Sequence, residues 1–263
     1  MPVVRAATRG SSLALWQAAH VGRLLETAYP GLDVEFVVVD TEGDRRLDVP
    51  ISDFGGKGVF AKEVQTAVLD GRADFAVHSA KDLPSTTVPG LTLAAVPERG
   101  DPRDALVGGR LGDLPLGATV ATGSMRRRVQ LAQIRPDLVF TELRGNMATR
   151  LSKVPADGAI VVAAVALQRL QLADQLAEII PEDDLVPQVG QGALGVECRA
   201  DDDVIIGMLQ TIEHLPSRRR VDAERAFLVE LGRRPRRLRR RSRRRGHQRR
   251  GSRPAAPLRV PRH

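Results

Sequence analysis

At 263 residues and 28.6 kDa the chain is long enough for one large domain or two to three small ones with real cores. Hydrophobic residues make up 42%, which excludes disorder by composition, and aromatics at 3% count against nucleic-acid recognition by stacked rings. The formal charge of +8 is misleading, because residues 233–263 hold 15 Arg and no Asp or Glu. Without them 25 basic residues face 32 acidic ones, a net of −7, so the basicity belongs to the tail. Apolar runs such as 159–167 fall far short of the roughly 20 residues that span a bilayer. The first residues lack a charged segment followed by an apolar one, so no signal peptide is expected. One cysteine, Cys198, excludes a disulfide framework and a CxxC metal site, and no metal is expected. The chain reads as soluble and cytoplasmic.

Taken in order, residues 3–7 form a short apolar run, followed by a polar turn and a helix. Leu13, Trp16, His20 and Leu24 recur at helical spacing, with Ser11 or Ser12 as N-cap. Residues 34–39 are β-branched and fit a buried strand. Residues 41–58 carry Gly, Asp, Pro and Ser without periodicity and read as a long mobile loop, a length commonly functional or disordered. Phe60, Val64, Ala67 and Val68 mark a second helix ending at Gly71. Strands follow at 75–78 and 91–96. A second α/β unit begins near Asp104, with strands at 119–122, 138–143 and 159–162, each leading into a helical pattern. The Pro/Gly-rich stretches 97–102 and 187–192 read as two crossings between lobes, and 193–198 as a strand returning to the first. Two crossings between two α/β lobes imply a hinged fold with a cleft. The expected division is 1–98 with 193–215, then 99–192, then a helix within 216–232 bearing Val221, Ala223, Ala226, Phe227 and Leu231. Beyond Gly232 periodicity stops, and the tail reads as disordered.

The polar motifs sit at strand-to-helix turns. Thr8-Arg9-Gly10-Ser11 is one, where free N–H groups and the helix dipole suit an anion, although a simple cap explains it as well. Ser124-Met125-Arg126-Arg127-Arg128 repeats the arrangement, and three arginines opening a helix oppose its dipole unless an anionic ligand offsets them. Arg144 and Arg150 follow another strand. Planar arginine forks suit carboxylates, so the pattern implies a ligand with several carboxylates or phosphates. No phosphate-binding GxxxxGK[ST] loop is present. His78-Ser79-Ala80-Lys81-Asp82 is a poor hydrolase triad, because consecutive side chains diverge and no nucleophile elbow surrounds the serine. A lysine beside an aspartate at a cleft edge can instead bind an anion and stabilise a developing cation, with a capped turn as the plainer alternative. Gly190-Gln191-Gly192 opens a GxGxxG match, but a strand follows it where the dinucleotide fingerprint needs a helix. Cys198 alternates within that strand and reads as buried and inert.

Six separated motifs carry more than spacing: residues 8–15 (TRGSSLAL), 55–63 (GGKGVFAKE), 78–84 (HSAKDLP), 124–131 (SMRRRVQL), 143–151 (LRGNMATRL) and 189–199 (VGQGALGVECR). In order and rough spacing they resemble the hydroxymethylbilane synthases, also called porphobilinogen deaminases, from residue 3 to about 231. The resemblance implies a cytoplasmic, monomeric transferase of tetrapyrrole and haem biosynthesis, with two lobes similar to type II periplasmic binding proteins and a third α/β domain. Such enzymes join four porphobilinogen molecules head to tail, releasing ammonia each time, on a dipyrromethane cofactor held by a cysteine thioether. By motif position, the resemblance makes Asp82 the catalytic carboxylate that stabilises the cationic intermediates. It assigns Lys81, Ser11, Ser124, Arg126, Arg127 and Arg150 to the cofactor, and Arg9, Arg144, Arg150 and Arg169 to substrate carboxylates. The loop 41–58, with Lys57 and then Phe60, would be a lid that excludes water.

The chain departs from the family after Leu231-Gly232, where an Arg-rich tail without cysteine stands in place of the third domain. Of the 40 basic residues 36 are Arg, as GC-rich coding would produce, and the abrupt change resembles such DNA read in a shifted frame. With no attachment cysteine, little or no synthesis is expected from this polypeptide. The alternative reading is a non-catalytic two-lobed anion-binding protein whose basic tail binds polyanions or nucleic acid, with steep salt dependence.

Overall fold

The computed structural model describes residues 3–41 and 60–233. Residues 42–58 of the expected lid, including Lys57, and the tail beyond Arg233 lie outside them. Strand β1 (Val3–Arg9) leads through the Ser11 cap into α1 (Ser12–Ala28), and β2 (Asp33–Val39) lies parallel to β1. Helix α2 (Lys62–Leu69) follows, then β3 (Phe75–Ser79), a 3-10 turn at Ala80–Asp82, and β4 (Leu91–Ala95). The second sheet is built from β5 (Asp104–Val107), β6 (Thr119–Ala121), β7 (Val139–Thr141), β8 (Gly158–Ala163) and β9 (Glu178–Ile179). Its helices are α3 (Met125–Ile134), α4 (Met147–Leu151) and α5 (Ala164–Arg169). The chain then returns as β10 (Leu194–Arg199), followed by α6 (Asp203–Gln210) and α7 (Leu215–Arg233).

Strand order is β2-β1-β3-β10-β4 in one sheet and β7-β6-β8-β5-β9 in the other. Strand β10 runs antiparallel to both β3 and β4, so the chain leaves the first sheet after β4 and re-enters it at β10. Each sheet carries its own apolar core, one around Phe75, Leu25 and Leu194, the other around Leu106, Leu131 and Ile180. Strand β8 is buried over its whole length, and its Ala-Ile-Val-Val run fits a strand covered on both faces. Among the described residues no helix is long and apolar enough to cross a membrane.

Three expectations change. The buried face of α1 is Ala14, Ala18, Val21 and Leu25, one position round from Leu13, Trp16, His20 and Leu24. That second stripe is half-buried, and its first turn faces the other lobe, where Leu13 packs against Ala163, Val165 and Ala166 and Arg169 lies over Trp16. Phe60 lies two residues ahead of α2 rather than in it. On α7 only Val221 of the expected stripe is buried, while Phe227 is 61% exposed. This helix is held by polar contacts, among them Arg218 Nη2 donating to the Leu93 carbonyl at 2.8 Å.

Candidate active site

Four strand ends supply the cleft. At the end of β1, Ser11 Oγ accepts the Ala14 amide at 3.3 Å and caps α1. The Arg9 guanidinium lies 4.3 Å above the Phe60 ring, a cation–π contact. At the end of β3 the chain tightens into Ala80–Asp82. The buried Ala80 donates its amide to the Ala193 carbonyl at 3.0 Å, which sets half-buried Lys81 at the edge of the cleft, with half-buried Asp82 next to it and close enough to act on Lys81 and Arg150. Only glycine can pass beside this turn: a Cβ on Gly190 would sit 2.9 Å from the Ala80 carbonyl carbon and 3.0 Å from the Lys81 nitrogen. The glycines of the false dinucleotide motif therefore serve close backbone crossing. Gly190 and Gly192 both have positive φ, 72° and 86°.

On the second lobe, Ser124 caps α3 and accepts the Arg127 amide at 3.5 Å. Arg127 is buried. Its Nε and Nη2 donate to Asp104 Oδ1 at 3.1 and 2.7 Å, and its Nη1 to the Val161 carbonyl at 2.8 Å. Arg126 Nη2 donates to Asp104 Oδ2 at 2.6 Å, and Arg128 turns away to the Thr122 carbonyl and Glu142. Part of the anion that three arginines at a helix start demand is thus internal: Asp104, with no exposed surface. Sequence reasoning missed it. The available signal was an acidic residue opening the apolar run Ala105-Leu106-Val107, where a strand start needs a reason to bury a charge.

Asn146 caps α4, and from the last turn of this helix Arg150 Nε donates to the Gly145 carbonyl at 2.8 Å. Arg144 is half-buried just before. At the end of α5, buried Arg169 donates Nη2 to the Gly192 carbonyl at 2.7 Å and lies 5.3 Å from the Trp16 ring of α1. It thus spans from one lobe to the other, and burial pushes its guanidinium down to about 10.

The electrostatics tie these pieces together. Burial pushes the Lys81 ammonium down to about 8; Asp82 opposes that shift, and Arg127 and Arg150 add to it. Arg150 is lowered by burial first, then by Arg127, Arg144 and Arg9, with Asp82 opposing. Residues from both lobes thus share one field with two aspartates, Asp82 and the buried Asp104. Among the described residues no donor is bonded to the Asp82 carboxylate. Such a cleft can hold several carboxylates of a ligand while offering one carboxylate to a cation.

The His78–Asp82 stretch does not form a triad. His78 Nε2 lies 3.3 Å from Glu197 Oε2 in the core, and Glu197 also accepts from Gln65 Nε2 at 2.7 Å. Ser79 instead bonds Gln17 at 2.8 Å. Alternation along β3 sends the histidine and serine to different neighbours.

The family described as "Porphobilinogen deaminase, dipyromethane cofactor binding domain" matches residues 4–207. A curated porphobilinogen deaminase of Syntrophotalea carbinolica is 48% identical over 233 residues, covering 87% of this chain and 74% of the relative. Among solved structures, the methionine-binding protein MetQ aligns over 84% of this chain and 94% of its own, at 11% identity and a TM-score of 0.50. That likeness concerns the two-lobed fold alone.

Proposed function

The chain belongs to the porphobilinogen deaminase family, and from that premise we propose that the cleft between its lobes holds porphobilinogen and the linear pyrrole chain built from it. The family's activity is that of the transferase hydroxymethylbilane synthase, which joins porphobilinogen units with loss of ammonia in tetrapyrrole biosynthesis and uses a dipyrromethane cofactor. The observation that carries the site reading is the cluster of cations from both lobes, in which Lys81 and Arg150 both feel Asp82 and Arg127, and Arg150 also feels Arg9 and Arg144. In this reading Arg9, Arg144, Arg150 and Arg169 take the acetate and propionate groups of the substrate. Lys81, Ser11, Ser124, Arg126, Arg127 and Arg150 take those of the cofactor. Asp82 stabilises the positive charge that develops when ammonia leaves and again when the next pyrrole is attacked. Fixed electrostatics of this type contribute about 3–4 kcal/mol. The reading also takes the protein as a cytoplasmic monomer, as the family resemblance implies.

The residues fit the carboxylates of dipyrromethane but not its thioether. Cys198, the one cysteine of the sequence, has no exposed surface, and burial pushes its thiol up to about 11. A buried, protonated thiol is inert. This chain's residues thus account for holding pyrroles and stabilising charge, not for anchoring the growing chain.

Calorimetric titration of the full chain with porphobilinogen, paired with intact mass, tests the reading. Saturable binding is expected, weakened about tenfold or more by Arg150→Ala and changed less than about threefold by Asp82→Asn, because Asp82 acts on developing charge. The mass should be 28.6 kDa with no added pyrroles. Absence of saturable binding, or indifference to Arg150→Ala, would remove the assignment.

A further inference from the structure

Asp104 opens β5, and its carboxylate is fully buried. Beyond the bonds from Arg126 and Arg127 it accepts a third partner: Gln191 Nε2 at 2.8 Å. The same Gln191 nitrogen donates to the Pro102 carbonyl at 2.7 Å. Gln191 lies on the second crossing between the lobes and Pro102 on the first, where the Gly100 amide donates to the Gly192 carbonyl at 3.1 Å. One buried carboxylate therefore joins the arginines that open α3 to both crossing strands. The arginine donors are not exhausted, since Arg126 Nε is buried without a partner.

Attraction of an incoming anion gives no reason for this arrangement. A negative group behind an anion site weakens the site's field, so a mere lining of arginines would gain from its removal. A buried carboxylate held by two guanidiniums instead fixes where the forks point, because neither side can leave without stranding a charge. We propose that Asp104 is a positioning residue: it sets the Arg126 and Arg127 forks and, through Gln191, fastens them to both strands of the hinge. This rests on the reading of the cleft as the pyrrole site.

The test is Asp104→Asn in the full chain, with two readouts. Amide hydrogen exchange needs no ligand. Exchange at Gly100 should speed up about tenfold or more while amides within β1 and β3 stay unchanged. Porphobilinogen affinity should fall about tenfold or more, although the variant adds net positive charge to the site. Unchanged or tighter binding would mean a charge lining only and would overturn the positioning role. Lower affinity with Gly100 exchange unchanged would overturn the link to the hinge, and uniformly faster exchange would reduce Asp104 to general stability. Should Asp104→Asn fail to fold, Gln191→Met removes the amide donor and keeps every charge. It should loosen Gly100 in the same way and cost about threefold in affinity, and no change in either would overturn the proposal. If the unmodified chain binds no porphobilinogen, the functional reading fails, and the exchange result alone decides whether Asp104 holds the hinge.

Discussion

Lys81 carries its charge against its surroundings. Burial disfavours the ammonium, Arg127 and Arg150 add to that, and Asp82 and Asp104 offset only part, leaving the group at about 8 instead of 10.5. The sign for binding follows directly. Below about pH 8 the side chain is cationic and attracts a ligand carboxylate; above it that attraction is lost. Porphobilinogen affinity measured from pH 6.5 to 9.5 should therefore fall as pH rises through about 8, and Lys81→Met should bind more weakly and flatten the profile. The sign for stability is opposite. Between about 8 and 10.5 the unfolded chain keeps a proton that the folded chain has shed, so stability from this group rises with pH across that window. A Lys81→Met protein that retained the full pH dependence would show that another group sets it.

At the scale of elements, helix starts and strand crossings place the chemistry. Ser11, Ser124 and Asn146 each cap a helix directly after a strand or turn, so the side chains on either side of the cap face the strand ends, where α/β folds open their clefts. The crossings add a second constraint. Gly192 has φ of 86°, and a Cβ there would lie 2.5 Å from the Gly100 carbonyl oxygen and 3.0 Å from that of Asp101. Gly31 has a similar φ of 88° with nothing within 4 Å. Gly31→Ala should therefore cost only the backbone term, about 1–2 kcal/mol. Gly192→Ala should cost about 3 kcal/mol or more, because backbone must also move. Urea unfolding of the two variants compares them, and equal losses would show that the crossing strands are not tightly apposed.

The whole molecule is held at its waist by α7. Glu224 Oε1 accepts Arg99 Nη1 at 2.6 Å, and its Oε2 accepts the Gly190 amide at 2.7 Å. Arg99 belongs to one crossing and Gly190 to the other, while Arg99 Nε also donates to the Gln191 carbonyl at 2.8 Å. A helix late in the chain thus closes a junction laid down much earlier. Glu224→Gln keeps the shape and removes the charge; it should cost about 2 kcal/mol, seen as a melting temperature lower by roughly 4–8 °C. An unchanged melt would mean that α7 rests on the hinge without fastening it.

The strands with β-branched runs, the capped helix starts, the two glycine-bearing crossings and the family are all legible in the sequence, because each of these is written in neighbouring residues or in contiguous motifs. The sequence also placed Lys81 and Asp82 just after β3, and Arg9, Arg126, Arg127 and Arg144 at strand-to-helix turns. Which groups meet is settled by three-dimensional packing. The bonds of Asp104 reach 22 and 23 residues to the arginines and 87 to Gln191, and no local pattern announces a partner at that range. The face of α1 that enters the core differs from the stripe that faces the second lobe for the same reason: periodicity shows that a helix has apolar sides, and packing chooses what covers each. Strand β9, two residues long and paired to β5, is too short for any periodicity and exists because β5 offers it an edge.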